Sequence, residues 1–331
     1  MKRVAINGFG RIGRIALRLL SNDKDVEVVA INDLTDSLQL AYLLKYDTIH
    51  RTLKSKVAYD SNGIYVNDKR IRIYKEKDPK NLPWKDLDID VVLECTGAFT
   101  SREKAMAHIK AGAKKVIISA PAKDDCKTIV YNVNDNIINS TDVVISGASC
   151  TTNCLAPILY LLNKYYKVNS GFMTTVHALT NDQETLDIPH KKGIASRRGR
   201  AAAFNIIPTS TGAASAIGRV IPELEGKLKG SSYRVPVEDG SLIDLVVEVN
   251  NTTTKEQVNA MFKQNQNETL KIVNTPIVSS DIIGETSGAV VDVALTEVID
   301  TKDGKALVKV VAWYDNEVGY TSQMIRTMKK M

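Results

Sequence analysis

The sequence predicts an α/β protein of two domains, and three observations carry that expectation. An apolar run leads directly into Gly8-Phe9-Gly10-Arg11-Ile12-Gly13 and then into apolar residues at helical spacing. Short apolar runs go on alternating with amphipathic segments to about Gly147, after which the texture changes and longer β-branched runs dominate. At 331 residues, finally, the chain exceeds what one hydrophobic core usually organises.

Taken in order, Val4-Ala5-Ile6-Asn7 reads as a strand, the glycines as a turn, and Ile12, Ile15, Ala16, Leu19 and Leu20 as the buried stripe of a helix. A second apolar run over 26–31 ends in Asn32-Asp33 and completes a strand–helix–strand unit. Residues 91–97 and 115–120 predict further strands with a helix over 101–111 between them, so the first sheet should be largely parallel. Beyond it, Leu155, Ile158, Leu159 and Leu162 mark a helix over 155–166, and residues 171–178 and 244–250 predict strands. A small-residue helix begins near Thr211 and extends toward residue 228, with Pro222 ending or kinking it. Residues 289–297 and 307–314 give two more strands, joined by the turn Lys302-Asp303-Gly304. The second half therefore predicts an α+β domain with a mixed or antiparallel sheet.

Composition excludes several classes. With 44% hydrophobic and 25% charged residues, 19 Gly and 9 Pro, the chain is neither disordered, collagen-like nor a coiled coil. Its 44 basic against 38 acidic residues leave +6, compatible with anionic substrates but too diffuse to demand nucleic acid. Four cysteines are too few for a disulfide framework, which points to a reducing compartment. No apolar run is long enough for a membrane span, and Met1-Lys2-Arg3 leads into a strand rather than a signal peptide, so a cytoplasmic location is expected.

The glycine motif has the context a dinucleotide fingerprint needs: strand before, helix after, and Asp33 about 20 residues beyond. Gly8 permits the tight turn, Gly10 lets backbone approach a pyrophosphate, and Gly13 lets helix and strand pack closely. This is a Rossmann-type pattern. Asp33 favours NAD, since its carboxylate accepts from ribose hydroxyls and repels the 2′-phosphate of NADP. The second feature is Ser149-Cys150-Thr151-Thr152-Asn153-Cys154, between a strand and a helix. A thiol at a helix N-terminus has its pKa lowered by the dipole and becomes a nucleophile; a small buried thiol capped by Ser and Thr is the alternative. Cys154 reads as structural, because a disulfide within one helical turn is awkward. A nucleophilic cysteine needs an imidazole partner, and of four histidines His177, ending the run Met173-Thr174-Thr175-Val176, is the best placed. Residues alone leave a packing role open for it. Thr180, Thr209-Ser210-Thr211-Gly212, Arg197-Arg198 and Arg234 are groups that hold phosphate oxyanions, although N-capping and solvated charge explain each singly.

Asn7 to Arg14, Ala148 to Pro157, Thr175-Val176-His177-Ala178, Pro208 to Ala214 and Trp313-Tyr314-Asp315-Asn316-Glu317 together resemble the phosphorylating, glycolytic glyceraldehyde-3-phosphate dehydrogenase family, over nearly the whole chain. The resemblance implies an NAD domain over 1–148, a catalytic domain over 149–313 and a last helix within 314–331 that packs back on the first domain. It implies a homotetramer, and NAD-dependent oxidative phosphorylation of D-glyceraldehyde 3-phosphate to 1,3-bisphosphoglycerate with no metal. Cys150 would form a thiohemiacetal and then a thioester, with His177 as base. Thr180 and Arg234 would hold the substrate's phosphate; Ser149, Thr151, Thr211 and Gly212 the inorganic phosphate, assisted by Arg198. Gly8, Gly10, Arg11, Ile12, Gly13, Asp33, Ser119 and Asn316 would serve the cofactor.

Some residues depart from the family pattern. Lys77 stands near the adenine end where many relatives carry Arg, which keeps the charge and loses the planar fork. Ile188-Pro189 replaces a frequent Leu-Pro, and Val318 a commonly aromatic residue. Two rivals follow from the resemblance: an erythrose-4-phosphate dehydrogenase of the same fold, and an RNA-binding or adhesion role, for which the sequence carries neither a recognition motif nor an export signal.

Overall fold

In the computed structural model, which describes residues 1–301 and 303–331, two β-sheets organise the chain. The residues fall into two units, one comprising Met1–Ile129, Asp135–Ala148 and Met324–Met331, the other Val130–Asn134 and Ser149–Gln323.

The first unit runs β1 (Lys2–Asn7), α1 (Arg11–Leu20), β2 (Val26–Asn32), α2 (Ser37–Lys45), β3 (Val57–Asp60), β4 (Gly63–Val66), β5 (Lys69–Tyr74), β6 (Val91–Glu94), α3 (Arg102–Lys110), β7 (Lys115–Ile118) and β8 (Val144–Ser146). Its sheet has the order β3-β4-β5-β2-β1-β6-β7-β8. From β5 to β8 every pairing is parallel, while β3, β4 and β5 form an antiparallel edge. Val4, Ala5, Ile6, Val92 and Leu93 are fully buried, as central parallel strands covered on both faces require. The antiparallel edge is not predicted from sequence. In β5, Ile71 and Ile73 are buried between exposed Lys69, Arg70 and Arg72, a period-two pattern diluted by charge. Met324, Ile325 and Met328 join the core of this unit, and Lys2 Nζ donates to the carbonyls of Met328 (3.1 Å) and Lys329 (3.2 Å).

The second unit contains α4 (Cys150–Tyr166), β9 (Val168–His177), β10 (Ile207–Ser210), α5 (Ala213–Val220), β11 (Leu228–Arg234), β12 (Ser241–Val249), α6 (Lys255–Gln264), β13 (Leu270–Val273), β14 (Ala289–Asp292), β15 (Glu297–Asp300) and β16 (Ala306–Tyr314); α7 (Val318–Lys330) begins here and ends in the first unit. The sheet order β10-β11-β9-β12-β16-β14-β13 is mixed, with β9–β11 and β13–β14 parallel and the other pairs antiparallel. Three boundaries differ from expectation by five residues or more. Helix α4 begins at Cys150 rather than near Leu155, because Ser149 Oγ caps it by accepting from Thr152 N at 3.1 Å. The helix expected from Thr211 toward residue 228 stops at Val220, ahead of Pro222, and Leu228 already belongs to β11. The strand expected over 289–297 breaks at Asp292, whose carboxylate caps a 3₁₀ turn over Val293–Leu295. Of the turn Lys302-Asp303-Gly304, Lys302 lies outside the described residues. Among the described residues no helix is long and apolar enough to cross a membrane.

Candidate active site

In the first unit the glycine turn has the shape its residues suggest. Gly8 adopts φ +90°, and a Cβ there would lie 2.7 Å from Thr96 N. A Cβ on Gly13 would lie 2.2 Å from the Gly8 carbonyl, so any side chain would push α1 off the strand. A Cβ on Gly10 would meet nothing within 4 Å. Gly10 is also the N-cap of α1 and supplies no side-chain cap, so this open space adjoins the positive end of the helix dipole. Part-buried Asp33 follows β2, its Oδ2 accepting from Phe9 N at 2.8 Å and its Oδ1 from Thr35 N at 3.0 Å. Ile12 is part-buried and Lys77 is exposed on the segment after β5. Ser119 follows β7, its N–H donating to the Glu94 carbonyl at 2.9 Å. These groups fit a dinucleotide: backbone donors and open space for a pyrophosphate, and a carboxylate for the ribose. The Arg11 guanidinium is paired with Asp47.

In the second unit Cys150 is the first residue of α4 and His177 the last of β9, and Cys150 Sγ stands 3.4 Å from His177 Nε2. Ala148, at φ +61°, turns the chain just before this helix. The imidazole tautomer follows from its neighbours. Arg234 Nη1 donates to Thr180 Oγ1 (2.7 Å) and to the Ala178 carbonyl (3.0 Å), which occupies its two hydrogens. His177 Nδ1, 2.8 Å from that carbonyl, must then carry the ring proton, and Nε2 turns a lone pair toward the thiol. Burial, aided by the Arg234 charge, pushes the His177 pKa down to about 3, so the ring is neutral.

The thiol itself departs from expectation. Burial raises the Cys150 pKa above its ordinary value and outweighs the Arg234 charge, the Thr151 hydroxyl and the helix-terminal N–H groups, all of which pull it down. The resting couple is thus a thiol facing a neutral imidazole. Cys154 is fully buried, its thiol pushed still higher.

Around this couple, Thr180 and Arg234 lie together. Arg198 donates through Nε to Thr209 Oγ1 at 3.2 Å and pairs with Asp182, which also accepts from the Thr180 hydroxyl. Burial acts to raise the Asp182 pKa, but the Thr180 bond and the charges of Arg198 and Arg234 hold it below the usual carboxylate range. Gly212 caps α5 and is exposed, with nothing within 4 Å of a Cβ position, and Thr211 Oγ1 accepts from Ala213 N at 3.2 Å. The Ser149 hydroxyl also caps α4, and Thr151 Oγ1 also meets Tyr314 Oη at 2.9 Å. Asn316 Oδ1 accepts from Ser241 Oγ at 2.6 Å, which fixes its amide.

Two residues of this site were missed from sequence. Tyr314 Oη bridges Thr151 and Thr175, and Asp182 links Arg198 to Thr180. Asp182 carried a faint signal, an acid two residues beyond a threonine; Tyr314 lies in the Trp313–Glu317 motif, where only Asn316 was given a role.

A Rossmann-type unit joined in one chain to a unit bearing a helix-terminal thiol beside a neutral imidazole describes the class of thiol-dependent dehydrogenases. Residues 2–102 match the NAD binding domain of glyceraldehyde 3-phosphate dehydrogenase, and residues 149–316 match the C-terminal domain of that enzyme. The chain belongs to the glyceraldehyde-3-phosphate dehydrogenase family. It is 54% identical over 329 residues to the glyceraldehyde-3-phosphate dehydrogenase of Clostridium pasteurianum, covering 99% of this chain and 98% of that protein. The protein of that name from Clostridium acetobutylicum is 54% identical over 328 residues, with the same coverage. That of Streptococcus pyogenes serotype M1 is 49% identical over 328 residues, covering 99% of this chain and 97% of its own.

Proposed function

We propose that this chain oxidises D-glyceraldehyde 3-phosphate with NAD and inorganic phosphate to 1,3-bisphosphoglycerate, through a thioester on Cys150. The observation that carries this reading is the 3.4 Å approach of Cys150 Sγ to the lone pair of His177 Nε2. As Sγ attacks the aldehyde carbon, the thiol proton passes to Nε2, and the carbonyl oxygen becomes an oxyanion. The Cys150 backbone N–H and the protonated Nε2 donate to it and stabilise the thiohemiacetal. His177, returned to its neutral form, takes the hydroxyl proton as the carbon loses its hydride. NAD, when bound, supplies the acceptor for that hydride. The thioester is then attacked by a phosphate oxygen, and Cys150 departs as the thiolate and recovers a proton from His177. Thr180 and Arg234 hold the substrate's phosphate; Ser149, Thr151, Thr211 and Gly212 hold the attacking phosphate with help from Arg198.

Gly8, Gly10, Arg11, Ile12, Gly13, Asp33, Lys77, Ser119 and Asn316 hold the cofactor in this reading, and the functional domains are 1–148, with 314–331, and 149–313. The loop over 180–206 leaves Ile194 97%, Phe204 79% and Ile206 68% exposed, which supports a homotetramer that covers them. The location proposed is the cytoplasm. One assay tests the reaction: sustained NADH formation from glyceraldehyde 3-phosphate, beyond one equivalent per subunit, should require NAD and phosphate or arsenate together. Equal use of NADP, or full turnover without either anion, contradicts it.

A further inference from the structure

Glu94, at the end of β6, is buried in the first unit. Its Oε2 accepts from Asn7 Nδ2 at 2.6 Å and lies 3.0 Å from His108 Nε2. Its Oε1 accepts from Thr96 N at 2.8 Å and from the Thr96 hydroxyl. His108 is also fully buried, and Trp84 Nε1 donates to its Nδ1 at 3.0 Å. An indole N–H only donates, so Nδ1 is an acceptor and Nε2 carries the proton that faces Glu94. Four donors thus converge on one side chain, and only a carboxylate without a proton accepts from all of them.

The network extends in one donor direction. Asn7 Oδ1 accepts from Asn32 Nδ2 at 2.7 Å, and Asn32 Oδ1 accepts from Glu76 N at 2.8 Å. Asn32 Nδ2 also donates to the Glu76 carbonyl at 2.9 Å. Asn7, Asn32 and Glu76 each stand one residue before a group assigned to the cofactor: Gly8, Asp33 and Lys77. Thr96, held directly by Glu94, is the backbone against which Gly8 packs.

We propose that Glu94, backed by His108 and Trp84, is a positioning residue for NAD, whose carboxylate sets the polarity of a hydrogen-bond chain that aligns the strand ends holding the adenosine half. This rests on the NAD reading above. Glu94 touches neither cofactor nor reacting atoms; it acts through Asn7, Asn32 and the Thr96 turn.

The test is a pair of variants in the full chain. Glu94→Gln keeps the shape but places an amide donor among four donors, and should raise the dissociation constant for NAD, and for ADP-ribose, about tenfold or more. The KM for the aldehyde at saturating NAD should stay within about twofold, whereas general loosening of the protein would move both. Adding Asn7→Asp reverses the polarity. The carboxylate introduced by that second substitution would accept from the amide introduced by the first, from Asn32 and from His108 Nε2, which already lies 3.3 Å from Asn7 Nδ2. The double variant should therefore recover most of the NAD affinity, whether or not Glu94→Gln alone folds. Wild-type NAD affinity in Glu94→Gln overturns the proposal, and so does a double variant that melts like wild type yet binds NAD no better than the single one. A wild-type protein that binds no NAD in the same titration overturns the cofactor reading along with it.

Discussion

At Cys150 a helix N-terminus and a part-buried setting pull in opposite directions, and desolvation wins. That makes His177 the necessary partner, since the proton has to leave as the sulfur attacks. Replacing Cys150 with Ala should abolish NADH formation and leave NAD binding, measured by fluorescence titration, nearly unchanged; near-wild-type turnover would refute the nucleophile assignment. His177→Asn removes the lone pair that Nε2 turns to the thiol and should lower kcat by ~10²–10⁴-fold, the usual reach of general acid–base catalysis. The same substitution has a second consequence. His177 titrates near 3 in the folded protein, against an ordinary histidine value of about 6.5. Below that ordinary value the unfolded chain takes up a proton that the folded one refuses. The stability this confers is complete above about pH 6.5 and is lost as pH falls toward 3, at up to about 1.4 kcal/mol per pH unit. Urea unfolding from pH 6.5 to 5 should show this slope in wild type and a shallower one in His177→Asn.

Among the elements, α1 and α4 perform related tasks in different units. Each starts at a tight turn at the positive end of its helix dipole, α1 capped by Gly10 with open space around it, α4 capped by Ser149 with the thiol as its first residue. Gly13 is what lets α1 sit close to β1. A Gly13→Ala substitution puts a methyl 2.2 Å from the Gly8 carbonyl, and should cost ~1–3 kcal/mol through overpacking. Thermal unfolding and NAD titration of that variant should show lower stability and weaker binding together; unchanged values would show that α1 has room to move.

Over the whole molecule, what the sequence made legible was local. Strand, glycine turn and helix lie within twenty residues and share one physical cause, so they could be read directly. Cys150 and His177 stand 27 residues apart, and each sits beside strong periodic signals. What escaped depends on partners far apart in the chain or on environment. Glu94 and Asn7 meet across 87 positions, and Tyr314 reaches Thr151 across 163. The shift of the Cys150 thiol depends on how much of it burial removes from water, which no motif encodes. In the antiparallel edge β3-β4-β5, β5 was hidden by its own charges. In the proposed reaction, oxidation and phosphate transfer are separate steps joined by a thioester on Cys150, and rapid mixing of the protein with NAD and glyceraldehyde 3-phosphate, phosphate withheld, separates them in time. A burst of about one NADH per subunit that then stalls, and resumes when phosphate is added, is the expected result; steady turnover in the absence of phosphate would rule out the thioester as the link between the two steps.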